Sequence, residues 1–474
     1  MDRQYPDGRG RGASSAGSNR PRRASLPADH SAASDQPRRA SQNLPRPGSG
    51  AAAGPSRPSR TEADAVTATP TPLNPSVAGT FRPPIMEARG WMAEADAATL
   101  ARLINVSQAA PIDPPPEGLR HALADAALNR PEAHLYGPVL GNDPLRAALA
   151  ARWSERSGGA ITAENVAITQ GCNQAFCAVM ATLVGAGDEV IIPVPWYFNH
   201  KMWLDMQGAR AVPLSCPQDM VPRPEDAAAL ITPRTRAIVL VTPNNPSGAE
   251  YPAGILAAFR DLARQHGIAL VLDETYADFD SRTEPGAAPV HDLLQDPDWG
   301  RDVISLYSFS KAYRLTGHRV GAIIASPERL VEVEKFLDTV AISASQMGQI
   351  GALWGLENLG DWLAGERREI LARRDAMAAA LGGLPGWRLK GCGAYFAWAE
   401  HPYAEDSSTL ARRLVREAGL LLLPGTMFMP DGSAEGARHV RIAFANVDRA
   451  GIADMAARLA DLGGARLVAG EAPA

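Results

Sequence analysis

Cysteine is scarce in this sequence, and no apolar stretch in it is long. Only Cys172, Cys177, Cys216 and Cys392 occur in 474 residues. They show neither the spacing of a metal site nor a disulfide framework, so they read as small core residues in a reducing compartment. A cytoplasmic location is the expectation. No apolar run nears the roughly 18 residues that a membrane helix needs, so no membrane partner is expected. An excess of positive charge is also missing. With 47 basic against 52 acidic residues the net charge is −5, which gives no general affinity for nucleic acid. What remains, 45% hydrophobic and 21% charged, is ordinary for a soluble globular protein, and the length exceeds one compact domain.

Residues 1–83 stand apart. They are rich in Arg, Ser, Pro, Gly and Ala and hold hardly a large apolar side chain. Such a stretch cannot bury enough surface to offset its ordering entropy, so a disordered low-complexity extension is expected. Residues 1–60 carry 11 arginines, no lysine and 4 aspartates, seven charges positive, which leaves an acidic body behind them. Pro-Arg-Arg-Ala-Ser occurs at 21–25 and again at 37–41. Arg-Arg-x-Ser suits a basophilic kinase, but an accident of low complexity is the preferred reading. The Arg/Ser bias is similar to that of an organelle transit peptide, yet prolines at 6, 21, 27, 37, 45 and 47 break any amphipathic helix. An extension without function, from an upstream start codon, is the expectation; Met86 stands near the start of foldable sequence.

From residue 84 short aliphatic runs alternate with helical stretches. The runs are Val166–Thr169, Val190–Val194, Ala237–Val241, Ala269–Leu272, Val303–Tyr307 and Val320–Ala325. Ala253–His266 and Gln174–Val184 are helical. Unbroken apolar runs of four to six suit strands buried on both faces, and their alternation with helices predicts a mostly parallel sheet between helical layers. After about 345, long helical stretches (Trp354–Leu381, Ser408–Glu417) surround short strands near Ala394–Ala399, Leu420–Leu423 and Val440–Phe444, which predicts a second, smaller α/β domain.

In a parallel sheet ligands sit beyond the carboxyl ends of the strands, so the polar residues there are the ones to weigh. Val166-Ala-Ile-Thr-Gln-Gly171 runs straight into a helix whose first free N–H groups suit a phosphate, a weak signal alone. Val241-Thr-Pro-Asn-Asn245-Pro-Ser-Gly248 is either a plain turn or a loop that aims Asn245 into the crevice. Leu270-Val-Leu-Asp273-Glu-Thr-Tyr276 ends an apolar strand in an acid. That acid is either a turn cap or the partner of a buried cation, and a protonated pyridine nitrogen fits, with Tyr276 in reach of an adjacent ring oxygen. Ser308-Phe-Ser310-Lys311 with Arg319 offers two hydroxyls and a forked cation to a phosphate. Lys311 between them is either a solvated charge or, beside cations and out of water, a nucleophile toward carbonyls.

Together, in this order and spacing, these motifs resemble those of the class I/II (fold type I) aminotransferases, enzymes dependent on pyridoxal 5'-phosphate (PLP), over roughly residues 84–460. The resemblance implies a PLP fold-type-I architecture: an N-terminal segment (84–119) packed with the small domain, a three-layer α/β/α PLP-binding domain (120–345), and a smaller C-terminal α/β domain (346–474). It implies Lys311 as the Schiff-base (aldimine) lysine and proton shuttle. Asp273 is implied as the partner of the pyridine N–H, and Tyr276 and Asn245 as donors to the ring oxygen. Gly171, Cys172, Asn173, Ser308, Ser310 and Arg319 form the implied phosphate cup. Tyr197 takes the place of the stacking aromatic, with Trp196 the alternative if the register slips, and His200 that of a histidine behind Asp273. Leu135-Tyr136-Gly137 resembles the stretch whose tyrosine reaches the neighbouring subunit's phosphate, so Tyr136 implies a homodimer. His439-Val-Arg441 resembles the strand whose arginine holds the substrate α-carboxylate.

Two positions depart from the family. Ala109 stands where Gly is frequent, close to that carboxylate, and Met429 follows Phe428 where Gly is common. No Arg occurs between Arg329 and Arg367, where members that prefer aspartate supply one, so a dedicated dicarboxylate specificity is not expected. The implied activity is ping-pong transamination between an apolar, aromatic or sulfur-containing L-amino acid and a 2-oxo acid, with glutamate or 2-oxoglutarate admitted as one partner. The alternative on the same fold is a PLP lyase, of the carbon–sulfur β-lyase or cyclopropane-forming synthase type. A regulator with a fused DNA-binding module would need a folded helix-turn-helix, and the tail lacks the apolar periodicity for one.

Overall fold

Seven strands make the central sheet: β1 Val166–Thr169, β2 Glu189–Val194, β3 Arg210–Ser215, β4 Thr235–Val241, β5 Ala269–Asp273, β6 Val303–Ser308 and β7 Gly321–Ile324. They are seen in a computed structural model that describes residues 71–283 and 289–463. The spatial order is β1-β7-β6-β5-β4-β2-β3. Every pairing is parallel except those of β7, which lies antiparallel between β1 and β6. β1 and β6 therefore point the same way, and the carboxyl ends of β1, β2, β4, β5 and β6 share one edge.

The period-2 geometry of a strand divides each apolar run between two cores. Ile168, Ile191, Ile238, Leu240, Leu270 and Leu272 pack into one, with Leu149 and Trp153 of helix Asp143–Ser157 and Phe259 of helix Ala253–His266. Ala167, Ile192, Val239, Ala269 and Val271 pack into the other, with Phe176 and Val179 of helix Cys172–Leu183 and Val333 of helix Pro327–Ala341. This is the three-layer α/β/α arrangement expected from the sequence.

The C-terminal part forms a separate antiparallel sheet in the order Leu423–Pro424, His439–Ala443, Phe396–Glu400, Arg388–Gly393. The helical stretch expected over Trp354–Leu381 is two helices, Gln346–Asn358 and Gly360–Gly382, with Leu359 between them. Ile104–Asn105 pairs in parallel with Leu420–Leu421, and Ala443 donates its N–H to the Val106 carbonyl (2.8 Å). The segment before the large sheet is thus stitched to the small domain.

The described chain has structure earlier than residue 84, which corrects the boundary drawn for the disordered extension. Asn74 caps the short helix Pro75–Ala78 by accepting from the Ser76 N–H, and Thr80 Oγ1 donates to the Ser76 carbonyl (2.8 Å). Local capping and turn bonds, not apolar burial, order this stretch, so its composition gave no sign of it. The two Arg-Arg-Ala-Ser repeats lie outside the described residues.

Phe259 is fully buried where its helix meets the sheet. Phe259→Ala is expected to lower unfolding stability by about 3–5 kcal/mol, measured as a shift of the denaturant midpoint.

Candidate active site

A cleft of about 340 Å³ opens at the carboxyl edge of the sheet. Five strand ends feed it. β1 delivers Cys172 and Asn173, β2 Tyr197, β4 Asn245, β5 Asp273 and Tyr276, and β6 Ser308, Ser310 and Lys311; Arg319, just before β7, and Arg441 of the small domain complete it. The antiparallel insertion of β7 is what sets Arg319 beside Ser310: its Nη1 donates to Ser310 Oγ at 3.3 Å. Gly171, at φ +84, has no Cβ, and one there would overlap the Arg319 guanidinium. Ser308 Oγ accepts from the Ser310 N–H (3.2 Å) and starts the turn that carries Lys311.

Asp273 is 3% exposed. Burial works to raise its pKa, but His200 and Thr275 outweigh burial and hold the carboxyl below the usual range. His200 Nε2 lies 3.2 Å from Oδ2, the Thr275 N–H donates to Oδ1 at 3.0 Å, and the Cys172 thiol adds a longer contact to Oδ1 at 3.6 Å. Next to the acid, burial raises both the Cys172 thiol and the Tyr276 phenol well above their usual values, so both remain protonated donors.

Lys311 Nζ donates to the Ala109 carbonyl at 2.7 Å. Burial, helped by Arg319 and Arg441, pushes its pKa down to about 8. Arg441 is 2% exposed and burial lowers its pKa to about 10. Its guanidinium lies between the rings of Phe396 (5.1 Å) and Phe428 (4.9 Å). Nη1 donates to Asn245 Oδ1 (3.1 Å), Nη2 donates to the Ser107 carbonyl, and Nε is buried without a partner. No carboxylate lies within ion-pair distance of Lys311, Arg319 or Arg441 among the described residues. Three cations therefore face one acid that His200 already engages, and such a cleft attracts anions.

The register between the two aromatic candidates is clear: Tyr197 lines the cleft and Trp196 does not. Tyr136 is not among the residues that line the cleft and is 80% exposed on its own chain. The sequence reading did not single out Gln108, the Ser107 carbonyl, or the Phe396–Phe428 pair around Arg441. Nothing in the local sequence signalled the last, since Phe396 and Phe428 lie 45 and 13 residues before Arg441.

Comparison with known proteins gives the family. The family model described as aminotransferase class I and II matches residues 101–459. An arginine–pyruvate transaminase of Pseudomonas aeruginosa is 32% identical over 313 residues, 65% of this chain and 77% of that protein. An aspartate/prephenate aminotransferase of Thermus thermophilus is 31% identical over 339 residues, 69% of this chain and 82% of its own. Among solved structures, a single mutant of the Thermus thermophilus aspartate aminotransferase superposes with a TM-score of 0.73 at 26% identity, covering 82% of this chain and 99% of that one. The chain belongs to the class I and II aminotransferases, and it is a PLP-dependent aminotransferase of fold type I. No described helix is long and apolar enough to cross a membrane.

Because burial lowers the Lys311 pKa, its free amine, the nucleophile, predominates above about pH 8. Peptide-mapped labelling of Lys311 by trinitrobenzenesulfonate in cofactor-free protein is expected to rise with a midpoint near pH 8. A midpoint near that of an ordinary lysine would contradict the assignment.

Proposed function

We propose that the cleft binds PLP and transfers the amino group of an uncharged L-amino acid, with an apolar, aromatic or sulfur-containing side chain, to a 2-oxo acid. The observation that carries this is the charge balance of the cleft. It holds three cations without acidic partners, and all three are accounted for by a phosphate, an aldehyde and an α-carboxylate. Among the described residues no fourth cation lines it, which disfavours a dedicated site for a second substrate carboxylate.

The residues fit the cofactor. Gly171 leaves open the space beside Arg319 that a side chain would fill, and the first N–H groups of helix Cys172–Leu183, with Ser308, Ser310 and Arg319, would hold the phosphate. When bound, PLP supplies an aldehyde that condenses with amines and a ring that takes up the electrons left when Cα loses its proton. Asp273, ionised, would hold a proton on the pyridine nitrogen. Tyr276 would donate to the ring oxygen, as would the Asn245 amide N–H left free once its carbonyl accepts from Arg441. Tyr197 would cover the ring. Arg441, with an unused Nε and walls of Phe396 and Phe428, takes the substrate α-carboxylate. Lys311 Nζ takes and returns the Cα proton, a role its lowered pKa suits. Along the chain, residues 120–345 hold the cofactor, while 84–119 and 346–474 shape the substrate side.

A lyase on the same fold would use these groups too. In the wild type, an uncharged amino acid alone is expected to convert the cofactor stoichiometrically to its amine form. Release of ammonia and pyruvate without a 2-oxo acid would favour the lyase. Lys311→Ala is expected to abolish the lysine-bound absorbance and turnover, and retained turnover would overturn the reading.

We also propose that the enzyme is a homodimer in the cytoplasm. Four free cysteines suit a reducing compartment, and Tyr136 and Leu135 are large exposed side chains that do not line their own cleft. Tyr136 then completes the partner's phosphate cup. Tyr136→Phe is expected to weaken PLP affinity about tenfold, by loss of one charge-assisted hydrogen bond, while sedimentation still shows a dimer.

A further inference from the structure

The loop Ser107–Gln108–Ala109 touches both ends of the reacting centre. The Ser107 carbonyl accepts from Arg441, and the Ala109 carbonyl accepts from Lys311 Nζ at 2.7 Å. Gln108 lies between them in the chain and lines the cleft. Its Oε1 accepts from Arg89 Nη2 at 2.8 Å, while Arg89 itself lies outside the cleft lining. A guanidinium has donors only, so the amide atom it meets must be the oxygen. The NH2 on the same carbon has no hydrogen-bond partner among the described residues, so it is the donor Gln108 has left to offer.

Asn173 shows the same pattern. Its Oδ1 accepts from the Tyr197 hydroxyl at 3.2 Å, which leaves its NH2 unengaged as well. The same cleft is lined by the uncharged residues Pro83, Ile85, Tyr197 and Phe198. An apolar wall with amide donors set into it matches a side chain of one kind, uncharged but carrying a hydrogen-bond acceptor.

We infer that Gln108, oriented by Arg89, is a specificity-determining residue that selects unbranched, uncharged side chains with an acceptor near the end, an amide carbonyl or a thioether sulfur, over plain hydrocarbon ones. Arg89 is a positioning residue: it turns the Gln108 amide without touching the substrate. The inference rests on the proposed reading of the cleft as one for uncharged amino acids, and narrows that class.

The test uses the α-methyl derivatives of glutamine, methionine and norleucine with the holoenzyme. These have no Cα proton, so they bind without turnover, and their dissociation constants are read from the cofactor absorbance. The glutamine and methionine derivatives are expected to bind about threefold to tenfold more tightly than the norleucine derivative, the range of one net hydrogen bond. In Gln108→Leu that ratio falls to about one, and in Arg89→Met it falls part of the way. Equal binding of all three by the wild type, or a ratio that survives Gln108→Leu, overturns the inference and leaves the parent reading standing. If none of the three binds while the glutamate derivative does, the reading of an uncharged cleft is what fails.

Discussion

Asp273 ends a strand buried on both faces, where an ionised carboxylate has little right to be. His200 meets one oxygen and the Thr275 N–H the other, and together they overcome the burial that would protonate it. The rest of the cleft depends on that negative charge. Without it, Lys311, Arg319 and Arg441 would gather around no acid at all, and a protonated pyridine nitrogen would find no partner. His200 is itself placed by stacking on Phe176, at 3.9 Å between ring centroids, so the helix after β1 braces the acid at the end of β5. Core packing and site electrostatics meet at this one side chain.

The cations are arranged by strand order. β7 returns antiparallel between β1 and β6 and brings Arg319 to the end of the cleft where the helix after β1 begins. Arg441 comes from a different sheet and is flanked by rings instead of acids, so its charge is kept for a ligand. Lys311, between the two, loses basicity to burial first and to both arginines second. One arrangement thus supplies anion binding and a reactive amine together.

Much of this could be read from the chain, for a physical reason. Strands buried on both faces appear as unbroken aliphatic runs, and Val166–Thr169 and Ala253–His266 have the bounds the pattern gave. Arg210–Ser215 escaped because it lies at the sheet edge, where burial alternates and Pro213 interrupts the apolar signal. The antiparallel direction of β7 is a property of the connection and leaves no periodicity in the strand. Lys311 stood out through its serine and arginine neighbours; only four lysines occur in the chain. Tyr197 against Trp196 was a matter of register, which needs the turn after β2. Gln108 was invisible because a lone glutamine has no motif, and its meaning comes from Arg89, 19 residues earlier.

The pairing of Ile104–Asn105 with Leu420–Leu421, and of Val106 with Ala443, has a mechanical consequence. The segment bearing Gln108 and the strand bearing Arg441 are fastened together, whereas Lys311 stands on the other sheet. The grip on the amino acid and the residue that would choose it thus belong to one stitched unit, which meets the base through the Ala109 carbonyl alone of that loop. Recognition and deprotonation are therefore built on two different sheets of one chain.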